Sequence, residues 1–71
     1  MTSEEFLERL EALPPRGRWF FRFMSMEPIP PLEADITIEE CTEIAGRMLA
    51  EGRWGQAVWC LVFAEAVMAL V

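Results

Sequence analysis

From Ala57 to Val71 the chain runs for fifteen residues with one polar side chain, Glu65. A helix that is apolar all round has to be surrounded on every side, by protein or by lipid. Lipid is a poor fit. Fifteen residues at about 1.5 Å each reach only about 22 Å, short of the roughly 30 Å hydrocarbon core. Glu65 would lie inside that span at a cost of about 3 kcal/mol, and no cluster of basic residues flanks the segment. The segment 54–71 is therefore predicted to be a helix packed within protein. Membrane insertion is not expected.

The rest of the chain has to supply the cover. Residues 37–51 carry the clearest helical signature. Thr37 and Glu40 have the spacing of a capping box, in which hydroxyl and carboxylate each satisfy an unpaired backbone N–H. Ile38, Cys41, Ile44, Ala45, Met48 and Leu49 then share one face, with Glu39, Glu40, Glu43, Arg47 and Glu51 on the solvated side. Gly52 follows where a left-handed cap is expected. Residues 2–13 repeat the pattern: Thr2 with Glu5 as a capping box, then Phe6, Leu7, Leu10 and Leu13 on one face, ended by Pro14-Pro15. Residues 16–26 are ambiguous. Their aromatic density suits a strand, but the alternation is poor. A short helix would place Trp19, Phe23 and Met26 together, with Phe20 and Met24 beside them. Residues 27–36 contain Pro28, Pro30 and Pro31 and read as a stiff extended connection, pinned to the body by Ile29, Leu32 and Ile36.

A length of 71 residues allows one small domain. The expected architecture is all-α: a three- or four-helix bundle with a C-terminal helical hairpin and the Pro-rich connection at 27–36. Helices at 2–13 and 37–51 can cover two sides of the last helix. That leaves a third side, around Val58, Trp59, Val62, Phe63 and Ala66, open for a partner or a second copy of the chain. Burying each large side chain there would contribute about 1.5–3 kcal/mol. Composition agrees: 54% of residues are hydrophobic, above the roughly 45–50% of an ordinary domain, although a small protein has more surface to make polar. Glu65 is costly to bury unpaired. It is expected to meet a partner at this interface or an arginine such as Arg22 or Arg47, with plain solvent exposure the less favoured alternative.

Residues 38–70 resemble a single tetratricopeptide-type hairpin. Ala45 stands at the small position of the first helix, Met48 at the bulky position after it, and Gly52 near the turn. Ala57, Leu61 and Ala64 match the second helix, and Ile44 also fits. Cys41 replaces the usual large aromatic, Ala69 stands where the motif ends in proline, and there is one copy where stacking normally needs three or more. The resemblance implies a helix–turn–helix hairpin and a lean towards protein binding.

Catalytic chemistry finds little to work with. There is no histidine, so the usual zinc sites are excluded and neither cysteine has a base to activate it. Cys41 and Cys60 fall in apolar segments, where a thiol is a small hydrophobe, and they form no Cys-x-x-Cys pair. Glu39, Glu40 and Glu43 open a helix, where acidic residues suit the dipole, without the Asp-rich loop of a calcium site. No enzyme activity, metal or cofactor is expected. Arg16, Arg18 and Arg22, interleaved with Trp19, Phe20, Phe21 and Phe23, are the only basic cluster. Single-strand binders use that combination, but so do core elements with snorkelling arginines. The net charge of −6 disfavours phosphate, so direct nucleic-acid binding is not expected.

The start Met1-Thr2-Ser3-Glu4-Glu5 has no secretory character. The expectation is a cytoplasmic protein with reduced thiols. Lysine, asparagine, tyrosine and histidine are absent, which suggests a GC-rich bacterial or phage gene. Together these features indicate a small acidic protein-interaction module, an adaptor or inhibitor, self-associating through its C-terminal helix. The rival reading is a phage-type inhibitor, of the anti-CRISPR or host-takeover kind, docking the acidic face of Glu39, Glu40 and Glu43 on a nucleic-acid-binding protein. A third, membrane-surface association through 16–26 and the last helix, predicts sedimentation with vesicles.

Overall fold

Two threonines start two of the four helices in the computed structural model, which describes residues 1–71. The Thr2 hydroxyl accepts from the Glu5 N–H at 3.1 Å and opens α1, Ser3–Glu11; that of Thr37 accepts from the Glu40 N–H at 3.2 Å and opens α3, Ile38–Ala50. Only this half of each expected capping box forms. The Glu5 carboxylate accepts from the Thr2 hydroxyl instead, and that of Glu40 is taken by Arg22. The second helix, α2, spans Pro15–Met24, and α4 spans Trp54–Ala69. No strand is present, and the molecule is the small all-α bundle expected.

The ambiguous stretch is helical, and proline explains its start. Pro14 is extended, and Pro15 occupies the first helical position, where its missing N–H costs nothing and its fixed φ suits the helix. The face it buries is not the one the spacing suggested. Gly17 and Phe21 point into the core, while Trp19 and Phe23 stack on each other outside it, centroids 5.5 Å apart. Phe6 is the hub beneath, edge-on to Phe21 at 6.2 Å and tilted against Trp54 at 4.8 Å. Gly17 is needed here: a Cβ would stand 3.1 Å from both Leu13 Cδ2 and Met68 Cγ.

The connection 27–36 is held less by its apolar side chains than by its carbonyls. Ile36 is buried, but Ile29 and Leu32 are exposed. Trp19 Nε1 donates to the Pro30 carbonyl at 2.9 Å, Arg22 Nε to that of Pro28 at 2.9 Å, and Arg18 Nε to that of Ile36. A Pro-rich segment has few N–H groups to pair but keeps every carbonyl, and α2 offers donors to match.

The hairpin of α3 and α4 turns at Gly52, whose φ of +73° a residue with a Cβ adopts only at a cost. The Arg53 N–H reaches back to the Met48 carbonyl at 2.7 Å and the Gly52 N–H to that of Leu49 at 3.0 Å, the paired bonds of a Schellman cap. The hairpin's inner residues, Ile44, Ala45, Met48, Ala57, Leu61 and Ala64, are all buried. They are the residues that carry the tetratricopeptide resemblance. Here α1 and α2 cover them, α2 lying most extensively along α4. No helix is long and apolar enough to cross a membrane.

Candidate interaction surface

A helix without polar punctuation still has to turn one side outward, and α4 turns the side with the larger residues. Trp59 is 57% exposed and Val62 45%. Ala66 is exposed between them and the end of the helix, with Phe63 half-buried alongside. Trp59, Val62, Phe63 and Ala66 stand at i, i+3, i+4 and i+7, one face of a helix. Val58 lies off this stripe, packed against the core beside it.

The stripe continues onto α2 through aromatic rings. Trp59 stacks on Phe63 at 5.7 Å, Phe63 meets Phe20 edge-on at 6.3 Å, Phe20 meets Trp19 at 5.1 Å, and Trp19 stacks on Phe23. Five rings thus form one path across two helices, with Trp59 and Phe23 open to solvent at its ends. The sequence pointed to the α4 half of this surface. The α2 half was legible only as aromatic density, because the neighbour that Phe20 would meet cannot be read from spacing.

Glu65 is not on the stripe. Its carboxylate faces α1, where Arg9 grips it with both arms of the guanidinium: Nε to Oε2 at 2.9 Å, and Nη2 to Oε1. The fork matches the two carboxylate oxygens and fixes the geometry. The hydrogen bond to Glu65 is also the main cause that raises the Arg9 pKa above its ordinary value. The partner is an arginine, but it is Arg9 and not the Arg22 or Arg47 that the sequence suggested. Arg22 is held by Glu40 at 3.0 Å, and Arg47 by Glu27.

Those same pairs alter the acidic face. Glu39 and Glu43 are exposed, but Glu40 is half-buried against Arg22. Glu27, Glu40, Glu43, Arg22 and Arg47 line one shallow groove together. The surface there alternates in sign instead of presenting a block of negative charge. The basic cluster is similarly occupied: Arg18 donates to the carbonyls of Ile36 and Leu13 and lies 3.6 Å from Asp35. Arg16 alone of the three stands exposed.

Both cysteines are free and buried. Burial pushes the Cys41 thiol up to about 11 and raises that of Cys60 as well, which keeps both protonated and poorly nucleophilic at neutral pH. The polar chemistry of the molecule is thus mostly intramolecular, and its largest unsatisfied feature is apolar. No family model matches the chain, and no curated protein or solved structure matches it either.

Proposed function

We propose that the chain is a small acidic protein-interaction module that self-associates through the outer face of α4 and acts on a larger protein as an adaptor or inhibitor. The observation that carries this reading is the exposed aromatic path ending at Trp59, with Val62 beside it. Exposed apolar stripes rimmed by polar residues mark interaction sites, and tryptophan is the residue most enriched among interface anchors.

The stripe favours a second copy as the first partner. A two-fold interface must be complementary to itself. Trp59 and Ala66 lie symmetrically about the midpoint between Val62 and Phe63. Antiparallel pairing of two α4 helices about that midpoint would set each large indole over the small methyl of the other copy. Parallel pairing would set indole against indole. The accessible surface of the chain, 4434 Å², is close to the roughly 4,500 Å² expected for a folded monomer of this mass. The stripe is therefore a feature of a fully folded surface, not of an incomplete fold.

The rival reading, acidic docking on a nucleic-acid-binding protein, draws less support, because Arg22 and Arg47 sit within the acidic face. Light scattering after size exclusion, across concentrations and at two salt levels, separates the readings. Self-association that survives high salt and disappears in W59A supports the α4 interface. A monomer at every concentration overturns it.

A further inference from the structure

The exposed residues of α4 fall on a repeat. Gly55, Trp59, Val62, Ala66 and Ala69 are all exposed, at steps of four, three, four and three residues, and Gln56 is the only other exposed residue of the helix. Alternating steps of four and three keep one seam facing a partner helix, the pattern of a coiled coil. Leu70 continues the seam: as the C-cap it keeps helical backbone, and it is 87% exposed. Size alternates along the seam so that one end answers the other. A two-fold axis between Val62 and Phe63, with the helices antiparallel, sets Trp59 against Ala66, Leu70 against Gly55 and Gln56 against Ala69. Each of these layers joins a larger side chain to a small one. Parallel pairing would crowd Trp59 on Trp59 and Leu70 on Leu70, and leave Gly55 and Ala66 facing their own copies across a gap. Close packing disfavours both the crowding and the void.

Charge points the same way. The helix α1 opens on Glu4 and Glu5 and closes on Arg9, and α3 opens on Glu39 and Glu40 and closes on Arg47, so their dipoles are answered at both ends. Alone of the four helices, α4 has no acidic residue in its first turn and no basic residue in its last, and no side chain caps its start. Antiparallel pairing lays the positive N-terminus of each α4 beside the negative C-terminus of the other. Each copy then supplies the charge that the other lacks.

We propose that α4 pairs with the α4 of a second copy in this antiparallel register, with Leu70 of each chain seated on Gly55 of the other. The inference rests on the self-association reading and adds to it a polarity, a register and the two residues that set them. The layers at the two ends of the seam are related by the same axis, as a closed two-fold interface requires. Glycine at the contact lets the two helices approach closely where the leucine enters.

The test is cysteine cross-linking of the full chain under mild oxidation, read on non-reducing gels, with light scattering of each variant. G55C and L70C are oxidised alone and as a mixture. The mixture should give a covalent dimer and each variant alone should not, since antiparallel pairing holds the two copies of residue 55 about 22 Å apart along the helices. The parent, whose thiols are both buried, should form none. A Cβ at Gly55 meets nothing within 4 Å in the single chain. G55L should therefore keep its fold by circular dichroism yet weaken self-association roughly tenfold, and G55L/L70A should recover it. Cross-linking of G55C with itself, or a G55L chain that assembles as the parent does, overturns the register and leaves self-association standing. So does a mixture that fails to cross-link although the parent self-associates. A parent that stays monomeric overturns both.

Discussion

Along the inner side of α4 stand Ala57, Cys60, Leu61 and Ala64, all buried; along the outer side stand Trp59, Val62, Phe63 and Ala66, all exposed except the half-buried Phe63. Both sides are apolar, so polarity does not distinguish them. Size does. Three of the four inner residues are small, which lets α2 lie close along α4, and near the end of α4 Gly17 on α2 leaves room for the side chain of Met68. Most of the bulk is left outside, where Trp59 and Val62 are exposed and only Phe63 meets a ring of α2. Amphipathicity in this helix is therefore written in volume. Interior packing is dense enough that single methylenes matter, which makes a size pattern as binding as a polar one.

The largest expected effect tests the inner side. L61A removes a fully buried side chain and should cost about 2–5 kcal/mol of stability, read from urea or thermal unfolding by circular dichroism. A loss no larger than that of W59A would break the distinction between the two sides.

Alkaline pH tests the same side through its thiols. The folded protein holds the Cys41 proton up to about 11, against 9.0 for the ordinary thiol, and Cys60 shifts in the same direction. Below pH 9 both folded and unfolded chains are protonated and the contribution is intact. Between pH 9 and 11 the folded state binds more protons, so stability falls as pH rises, by on the order of 2 kcal/mol. The chain has no lysine, tyrosine or histidine, so the thiols are the side chains that titrate in this window. Unfolding midpoints of the parent should decline from pH 9 to 11, and those of C41A/C60A should stay flat.

M26G tests an outer residue that is strained as well as exposed. Relief of the left-handed backbone should raise stability by about 1 kcal/mol, seen as a higher thermal midpoint. A lower midpoint would mean that the Met26 side chain supports the fold and is not merely tolerated there.

W59A should have the smallest effect on the fold of the monomer, within about 0.5 kcal/mol, yet the largest on self-association. The comparison fails if W59A unfolds the chain, or if the oligomer survives the substitution.

Much of the architecture was legible where the signals were local. Thr2, Thr37, Gly52 and the Pro14-Pro15 pair act on backbone groups within a few residues of themselves, so spacing alone located the ends of α1 and α3 and the start of the hairpin. The outward placement of Trp59, Val62 and Ala66 was legible too, because the other helices the sequence announced were too few to cover every side of α4. Less was legible at α2. Its helical state was only the better of two fits, and its buried residue proved to be Phe21 instead of Trp19 or Phe23. Four neighbouring aromatics give every face a candidate, and the choice fell to which one could reach Phe6.

By itself, then, the sequence determined four helical or near-helical segments, their caps and an apolar surplus too large to hide. Only the tertiary structure decided that Glu65 pairs with Arg9, that arginines stitch the proline-rich connection by its carbonyls, and that the aromatic rings of α2 and α4 meet through Phe20 and Phe63. The reason is physical. Caps and periodicity are set by bonds within one or two turns, whereas side chains as far apart as Arg9 and Glu65 meet only once packing has fixed the relative placement of their helices.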